Sequence, residues 1–145
     1  IVSATGLKLQ LLGGMSITVN DKKIDPSTLH SYKGVMFSDI PNFAFAVGYT
    51  NASWTLKSDL NCQFVTRLLN HMKKSQTSIV TPKFDIDKYG SEPLLDFEAG
   101  YVKRALEHLP KQGSKKPWKV HQNYIKDTIS LKLDKINNSN LEFKQ

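Results

Sequence analysis

The sequence predicts a mixed α/β fold, with one β-hairpin and two to three helices, and three observations support this prediction. Alternating residues around Asn20 and Asp21 indicate the hairpin, an apolar run over residues 43–47 indicates a buried strand, and a four-residue apolar repeat after Trp54 indicates a helix. The chain has 145 residues, of which 39% are hydrophobic and 23% are charged. This size suits one domain with its own core.

The first elements expected along the chain are strands. In the stretch MSITVNDKKID apolar and polar residues alternate on either side of Asn20 and Asp21, which suit a tight turn. We therefore expect a hairpin between residues 15–19 and 23–24. Residues 1–3 are a further candidate for a buried strand, because the chain opens on an Ile-Val pair.

A strand, a glycine, a polar loop and a helix follow one another in the middle of the chain. Residues 43–47 (FAFAV) are continuously apolar, which is typical of a strand covered on both faces in a parallel sheet. Gly48 ends this run, and after the polar loop YTNAS a helix is expected from Trp54, capped by Asn51 or Ser53. Its apolar stripe repeats every four residues: Leu56, Leu60, Phe64, Leu68 and Met72.

The second half of the chain predicts one strand and two more helices. Residues 77–84 are typical of an edge strand. A second amphipathic helix is expected after Asp96 and should stop at Pro110, and a weaker helical pattern covers residues 124–131.

The domain organisation predicted from this pattern is simple. We expect residues 1–136 to form one unit and residues 137–145 to form a frayed polar tail. Parallel strands need parallel neighbours, and the sequence offers too few of them, so we expect the unit to belong to a larger sheet. Uncovered sheet edges and apolar faces then make a homodimer an expected outcome.

The formal charge of +7 raises the question of a polyanion partner. Lysines are scattered, with one looser cluster, and the chain has only two arginines, so a solvated surface is favoured over a nucleic-acid site. A non-catalytic basic module that binds a polyanion or a protein remains the alternative to an enzyme. The cluster consists of Lys111, Lys115, Lys116 and Lys119.

Several other classes of site are not indicated by the sequence. The single cysteine, Cys62, suits a reducing compartment, and a cytoplasmic location is expected. No apolar run reaches the length of a transmembrane helix. The four histidines are too far apart to suggest a metal site, and no catalytic side chain is assigned.

Gly48 and the loop after it are the candidate binding site. Ligands bind beyond the carboxyl ends of parallel strands, a glycine allows close approach, and a helix start presents unpaired N–H groups. The residues alone leave open whether this segment binds a ligand or is merely a turn and a cap.

Six segments of the chain together carry a family resemblance: IVSATG, SDIPNFAFAVGYTNASWTLKSDL, LLNHM, EPLLDFEAGYVKRAL, PKQGSKKPW and NYIKD. In this order they resemble the C-terminal portion of flavin-dependent monooxygenases, the family that includes flavin-containing and Baeyer–Villiger monooxygenases. GYTNASWTLK is the most specific of the shared stretches.

The resemblance implies a fold with two dinucleotide-binding domains, one for FAD and one for NADPH. Ala4, Thr5 and Gly6 would form the hinge between these domains, and residues 43–48 would complete the FAD sheet. The resemblance implies that reduced flavin forms a C4a-(hydro)peroxide with O2, which oxygenates a small organic substrate. The cofactor-binding residues that it implies are Gly48, Tyr49, Thr50, Asn51, Trp54, Thr55 and Leu56.

The chain also departs from the family pattern. It contains no G-x-G-x-x-G fingerprint for either dinucleotide, and it lacks the active-site arginine of the Baeyer–Villiger type. We therefore expect this chain to supply a flavin-facing wall and, alone, to bind FAD weakly or not at all.

Overall fold

The computed structural model describes residues 1–2, 9–95 and 100–145. The predicted hinge at Ala4, Thr5 and Gly6 lies outside these residues, as does Asp96. In the described part of the chain the strands form antiparallel pairs, so the mixed α/β class is confirmed in its coarse form. Ile1 and Val2, expected to begin a buried strand, are exposed.

Four short strands precede the first α-helix of the described chain, and from that helix onward α-helices and strands alternate. Short 3-10 turns cover Leu11–Gly14, Pro26–Thr28 and Leu106–His108, and a π-helical turn covers Ile129–Leu133. In chain order the regular elements are β1 (Thr18–Val19), β2 (Lys22–Lys23), β3 (Ser31–Tyr32), β4 (Met36–Phe37), α1 (Trp54–Ser75), β5 (Ile79–Pro82), α2 (Ile86–Tyr89), β6 (Glu92–Pro93), α3 (Gly100–Ala105), β7 (Lys111–Gln112), α4 (Tyr124–Thr128) and β8 (Leu141–Lys144).

Helix α1 provides the main face of the core. The predicted stripe is confirmed for Leu60, Phe64, Leu68 and Met72, which are buried, whereas Leu56 is exposed. Nine further buried side chains belong to the same core cluster: Tyr32, Val35, Met36, Val80, Tyr89, Trp118, Leu131, Ile136 and Leu141. The core therefore assembles around one long helix.

The C-terminal end of α1 matches the prediction, and its N-terminal end does not. Lys73 and Lys74 lie in the last turn, as expected from the helix dipole, and Gln76 adopts a left-handed conformation that ends the helix. At the first turn the predicted cap is wrong. Ser53 occupies the N-cap position, but its side chain makes no capping hydrogen bond.

The predicted hairpin is confirmed between β1 and β2. Thr18 pairs with Lys23 and Val19 with Lys22. Asn20 has a positive φ, as has the residue after it, which is the geometry of a two-residue turn between twisted strands.

Residues 43–47 do not form the predicted parallel strand. Phe43 and Phe45 are half-buried and stack on Phe37, with ring centroids 6.0 and 4.2 Å away. Ala44 and Ala46 point to solvent. A parallel strand requires ladder partners, and no described strand pairs with this segment, so it stays extended and is buried on one face only.

The later helices form where they were expected but are shorter. In α4 the burial of apolar and charged side chains is partly the reverse of the expected pattern. α3 covers Gly100–Ala105, and a 3-10 turn then ends before Pro110. α4 continues into the π-helical turn, so helical structure over residues 124–131 is confirmed. Ile125 is exposed and Asp127 is buried, the reverse of an ordinary amphipathic pattern.

The frayed tail expected over residues 137–145 is wrong, because β8 lies within it. β8 pairs antiparallel with β5 over four residue pairs, which confirms the strand expected within residues 77–84 and supplies its missing partner. Leu141 is buried. Asn140 accepts a hydrogen bond of 3.1 Å from the Trp118 indole, and Asn138 donates one of 3.2 Å to Tyr32.

We expect Leu141→Ala to lower the free energy of unfolding by about 2–5 kcal/mol, because it removes a buried side chain from the core. Urea denaturation followed by circular dichroism measures this loss. Leu133→Ala is the matched control, since Leu133 is 73% exposed and should change stability by less than about 0.5 kcal/mol. Equal effects of the two substitutions would contradict the packing of β8.

Candidate functional site

A cavity of about 260 Å³ lies beside the start of α1. Its lining comes from the β3–β4 hairpin and the first turn of α1, and from positions outside them: residues 9–10, 12, 45, 47–50, 94–95, 109 and 120–122. Most of the lining is apolar, including Phe45, Val47 and Val120. The cavity therefore has the mixed character of small-ligand sites, apolar with a few polar groups.

Four of the seven residues predicted to bind a cofactor line this cavity, and three do not. Gly48, Tyr49, Thr50 and Trp54 belong to its lining. Asn51 instead donates a hydrogen bond of 3.3 Å to the Gln122 carbonyl oxygen.

The two remaining predicted residues lie outside the lining on the first turn of α1. Thr55 Oγ1 lies 2.9 Å from Ser53 Oγ, at hydrogen-bond distance. Leu56 is 43% exposed. The structure thus brings the loop of the predicted site to the cavity and leaves the outer face of the helix in solvent.

The space that Gly48 leaves free is filled by Trp54. A Cβ atom at position 48 would meet the indole ring and would lie 2.6 Å from the Trp54 Cα. Real Cβ atoms do not approach other atoms this closely, so only glycine fits here without a shift of the helix start. In this chain the close approach at Gly48 therefore serves the packing of Trp54.

A buried ionic cluster fixes the loop after Gly48. The Tyr49 hydroxyl donates a hydrogen bond of 2.8 Å to Asp127 Oδ2, and Lys57 Nζ lies 3.0 Å from the same oxygen. All three side chains are almost completely buried. One carboxylate of α4 thereby holds both the loop and the first turns of α1.

The loop is also tied to the chain before α4 through Gln122. The backbone N–H and the hydroxyl of Thr50 both donate to Gln122 Oε1 at 3.2 Å. Together with the Asn51 bond to the Gln122 carbonyl, these contacts set the direction in which the loop enters α1.

Burial shifts the pKa values of the groups around the cavity. Desolvation, reinforced by the hydrogen bond to Asp127 and by its charge, raises the pKa of Tyr49 far above its ordinary value. Desolvation lowers the pKa of Lys57, although Asp127 acts in the opposite direction. Desolvation also lowers the pKa of His121, so that its imidazole is mainly neutral at pH 7.

Three cavity residues carry polar atoms that lack a hydrogen-bond partner within the described residues. These atoms are Ser31 Oγ, His121 Nε2 and Lys57 Nζ, although Lys57 Nζ forms an ion pair with Asp127 Oδ2 at 3.0 Å. Asn61, which does not line the cavity, carries two more such atoms, so unpaired polar groups are not confined to the cavity.

The sequence interpretation missed Ser31, Lys57, His121 and Asp127. The sequence gave one indication that Lys57 is buried, because its position lies beside the apolar stripe of α1. The sequence gave no indication that Asp127 is buried, since an acidic residue in a short helix is ordinarily solvated.

Other possible sites are weaker. In residues 1–2, 9–95 and 100–145 no three His, Cys, Asp or Glu side chains come together as a metal site. None of the described helices has the length and apolarity required to span a membrane. Within the lysine cluster, Lys119 is half-buried and forms an ion pair with Glu92, so the cluster is smaller than its sequence suggests.

Comparison with known proteins identifies relatives that match nearly the whole chain. It is 47% identical over 146 residues to the FAD-containing monooxygenase EthA of Mycobacterium tuberculosis strain H37Rv, covering 99% of this chain and 29% of that protein. It is 44% identical to the protein of that name from Mycolicibacterium smegmatis, over 99% of this chain and 29% of that protein.

A third relative has a different name but a similar description. The chain is 42% identical to the "Probable FAD-binding monooxygenase AlmA" of Acinetobacter baylyi, again over 99% of this chain and 29% of that protein. No family model and no solved structure matches the chain. The resemblance to flavin-dependent monooxygenases is confirmed, and the chain spans less than a third of the length of these relatives.

We expect Tyr49→Phe to lower the free energy of unfolding at pH 7 by about 1.5–3 kcal/mol, because it removes a buried hydrogen bond to a carboxylate. The raised pKa of Tyr49 adds a pH effect. Its stabilisation is complete below the pKa of the unfolded phenol, near 10, and is lost as the pH rises toward the folded value.

Urea denaturation at pH 7, 10 and 11 measures both effects. Above pH 10 the variant should lose less stability than the wild type, by up to about 1.4 kcal/mol per pH unit. Tyr124→Phe is the control: Tyr124 is 43% exposed and contributes least to the raised pKa of Tyr49, so both quantities should change far less than in Tyr49→Phe. Identical alkaline slopes for wild type and Tyr49→Phe would refute the role of the phenol.

Gly48→Ala should destabilise the chain by about 1–3 kcal/mol, because the new methyl group overlaps Trp54. Denaturation monitored by tryptophan fluorescence reports both the stability and the displacement of Trp54. Gly100→Ala serves as the control, since its Cβ would lie 3.4 Å from the flexible end of Arg104 and alanine favours the helix. A neutral Gly48→Ala would show that the helix start is not fixed by this contact.

Proposed function

We propose, from its similarity over 99% of its length to FAD-containing monooxygenases, that this chain forms part of an FAD- and NADPH-dependent monooxygenase. Such an enzyme inserts one oxygen atom of O2 into a small organic substrate. In this proposal the chain, with residues 137–145 packed into the same core, completes the FAD-binding domain of a fold with two dinucleotide-binding domains. Gly48–Leu56 then provide a wall beside the flavin ring.

The observation that carries the proposal is the position of the cavity at the start of α1. Gly48, Tyr49, Thr50 and Trp54 line it, and they lie in the stretch GYTNASWTLK, on which the family resemblance most depends. A shared stretch that borders an apolar recess is what a cofactor wall requires.

The described residues fit the ring of FAD better than its phosphates. Because Ser53 makes no side-chain cap, the first N–H groups of α1 lack a side-chain partner and remain available to a ring carbonyl oxygen. Trp54 is 54% exposed and offers a flat aromatic surface. The sequence supplies no glycine-rich phosphate loop, so the diphosphate would have to be held elsewhere.

FAD, when bound and reduced, would supply the oxygen-activating chemistry, with NADPH as the reductant. The residues of this chain would orient and shield the ring. Tyr49 is held by Asp127, and Thr50 is held by Gln122, so the loop is preorganised before any ligand arrives. We assign no proton transfer to any side chain of this wall.

A second consequence of the proposal concerns the exposed apolar groups. Val47 and Trp54 are 39% and 54% exposed, and both flank the cavity. Where the rest of the FAD-binding domain is absent, these groups favour self-association into a homodimer.

The test uses the full reading frame that contains this sequence. We expect the purified protein to contain FAD and to consume O2 in proportion to NADPH, whereas the 145-residue chain alone should bind FAD no better than weakly. Trp54→Ala in the full protein should lower FAD occupancy. Leu69→Ala is the control, because Leu69 is 59% exposed on the same helix and does not line the cavity.

The outcomes separate the enzyme from the basic binding module. A full-length protein without FAD, whose binding to heparin weakens with salt, would replace the enzyme proposal. Micromolar binding of FAD by the 145-residue chain would contradict the proposal that the phosphate site lies elsewhere. Unchanged FAD occupancy in Trp54→Ala would remove Trp54 from the wall.

A further inference from the structure

An exposed apolar surface, the α4 stripe, runs along α4 and the π-helical turn that follows it. It consists of Ile125, Ile129 and Leu133, three large aliphatic side chains that are all exposed. They are spaced four residues apart, close to one turn of an α-helix or of the slightly wider π-helical turn, so they share one face. Asp127 and Leu131 lie between them in sequence and are buried, so the opposite face packs on the core.

Three lysines border the α4 stripe. Lys126 follows its first residue and Lys132 precedes its last, while Lys135 lies just beyond the end of the turn. Lys126 and Lys135 are exposed, and Lys132 is half-buried. Within residues 1–2, 9–95 and 100–145, none of these lysines forms an ion pair. The stripe therefore has positive charge at both of its ends.

The carboxylates of the same segment do not offset this positive charge. Residues 124–135 contain three lysines and two aspartates, which by sequence alone indicates a nearly neutral surface. Asp127, however, is buried and lies 3.0 Å from the ammonium of Lys57, and Asp134 lies 2.7 Å from that of Lys33. Each aspartate is thus neutralised by a lysine from another part of the fold, and the charges of the bordering lysines remain uncompensated.

The combination of apolar and cationic groups selects among the partners of this surface. In a symmetric dimer the same patch meets itself, which brings the lysines of both copies into one interface. A nucleic acid matches the charge but not the aliphatic side chains, since its bases stack on aromatic groups. An anionic lipid bilayer matches both features, because aliphatic groups enter the boundary of headgroups and acyl chains while lysines contact the phosphates.

We propose that the α4 stripe and its bordering lysines bind the surface of an anionic lipid bilayer as a peripheral contact. Tyr124, exposed at the start of α4, adds an amphipathic ring of the kind found at the level of the headgroups. The proposal depends neither on FAD nor on the cavity beside α1. Vesicle binding therefore tests it separately from the monooxygenase proposal.

The experiment is co-sedimentation of the full reading frame that contains this sequence with two kinds of vesicle. Vesicles of equal parts phosphatidylglycerol and phosphatidylcholine should bind the protein at least about tenfold more tightly than vesicles of phosphatidylcholine alone, because each lysine is attracted to an anionic surface. Added salt should reduce this difference. Absence of binding, or equal binding to both kinds of vesicle, would overturn the proposal.

Two exposed isoleucines provide matched variants for the apolar part of the surface. Ile125→Ser should weaken binding to the anionic vesicles about fivefold, because it removes an aliphatic group that enters the bilayer. Ile125 is 70% exposed, so circular dichroism should show an unchanged fold. Ile86→Ser is the control, since Ile86 is 59% exposed but lies on α2. Equal losses of binding in the two variants, or none in Ile125→Ser, would contradict the proposal.

Pairs of lysines provide matched variants for the charged part of the surface. Replacement of Lys126 and Lys135 by glutamine should remove most of the preference for anionic vesicles. Replacement of Lys22 and Lys23 by glutamine is the control, because it removes the same charge from exposed positions on β2. If both pairs reduce binding equally, the net charge of the protein and not this surface attracts it, and the proposal is overturned.

The 145-residue chain separates a lipid partner from a protein partner. It should bind the anionic vesicles as the full protein does. Binding by the chain but not by the full protein would show that another part of the full protein covers the α4 stripe. A dimer that is lost in Ile125→Ser, seen by size-exclusion chromatography of a protein that binds no vesicles, would assign the stripe to a second copy. Either result would overturn the proposal.

Discussion

The arrangement of the candidate site depends on a single buried carboxylate. Asp127 Oδ2 is shared by the Tyr49 hydroxyl and the Lys57 ammonium, so one group joins the loop, the first turns of α1 and α4. A buried charge without partners is strongly destabilising, and these three elements must therefore come together for any of them to be tolerated. The cluster fixes the loop and the helix start that form part of the cavity wall.

Two further cations fasten the chain after Asp127 to the core. Lys33, in the turn between β3 and β4, donates to the Ser130 carbonyl and hydroxyl at 2.8 Å and to Asp134 at 2.7 Å. Arg67, on α1, donates to the Leu131 carbonyl at 2.5 Å. These bonds supply partners to two backbone carbonyls of the π-helical turn, whose own hydrogen bonding differs from that of an α-helix.

The loop and helix start beside the cavity are held in place by the chain, but part of their apolar surface is not buried. Trp54 lies against Gly48, and the loop is tied to Gln122, so the backbone around the cavity is well determined. Val47 and the outer face of Trp54 nevertheless remain in solvent. A preorganised loop and helix start with uncovered apolar surface are suited to contact with another molecule.

The sequence by itself determined the local elements and the family. Periodicity predicted α1, turn chemistry predicted the β1–β2 hairpin, and shared stretches predicted flavin-dependent monooxygenases, because these signals lie within a few neighbouring residues or in specific short motifs. Tertiary structure alone decided the pairing of β8 with β5 and the meeting of Lys57 with Asp127. Both join residues about 60 to 70 positions apart, and single-strand or single-helix patterns carry no record of such distant partners.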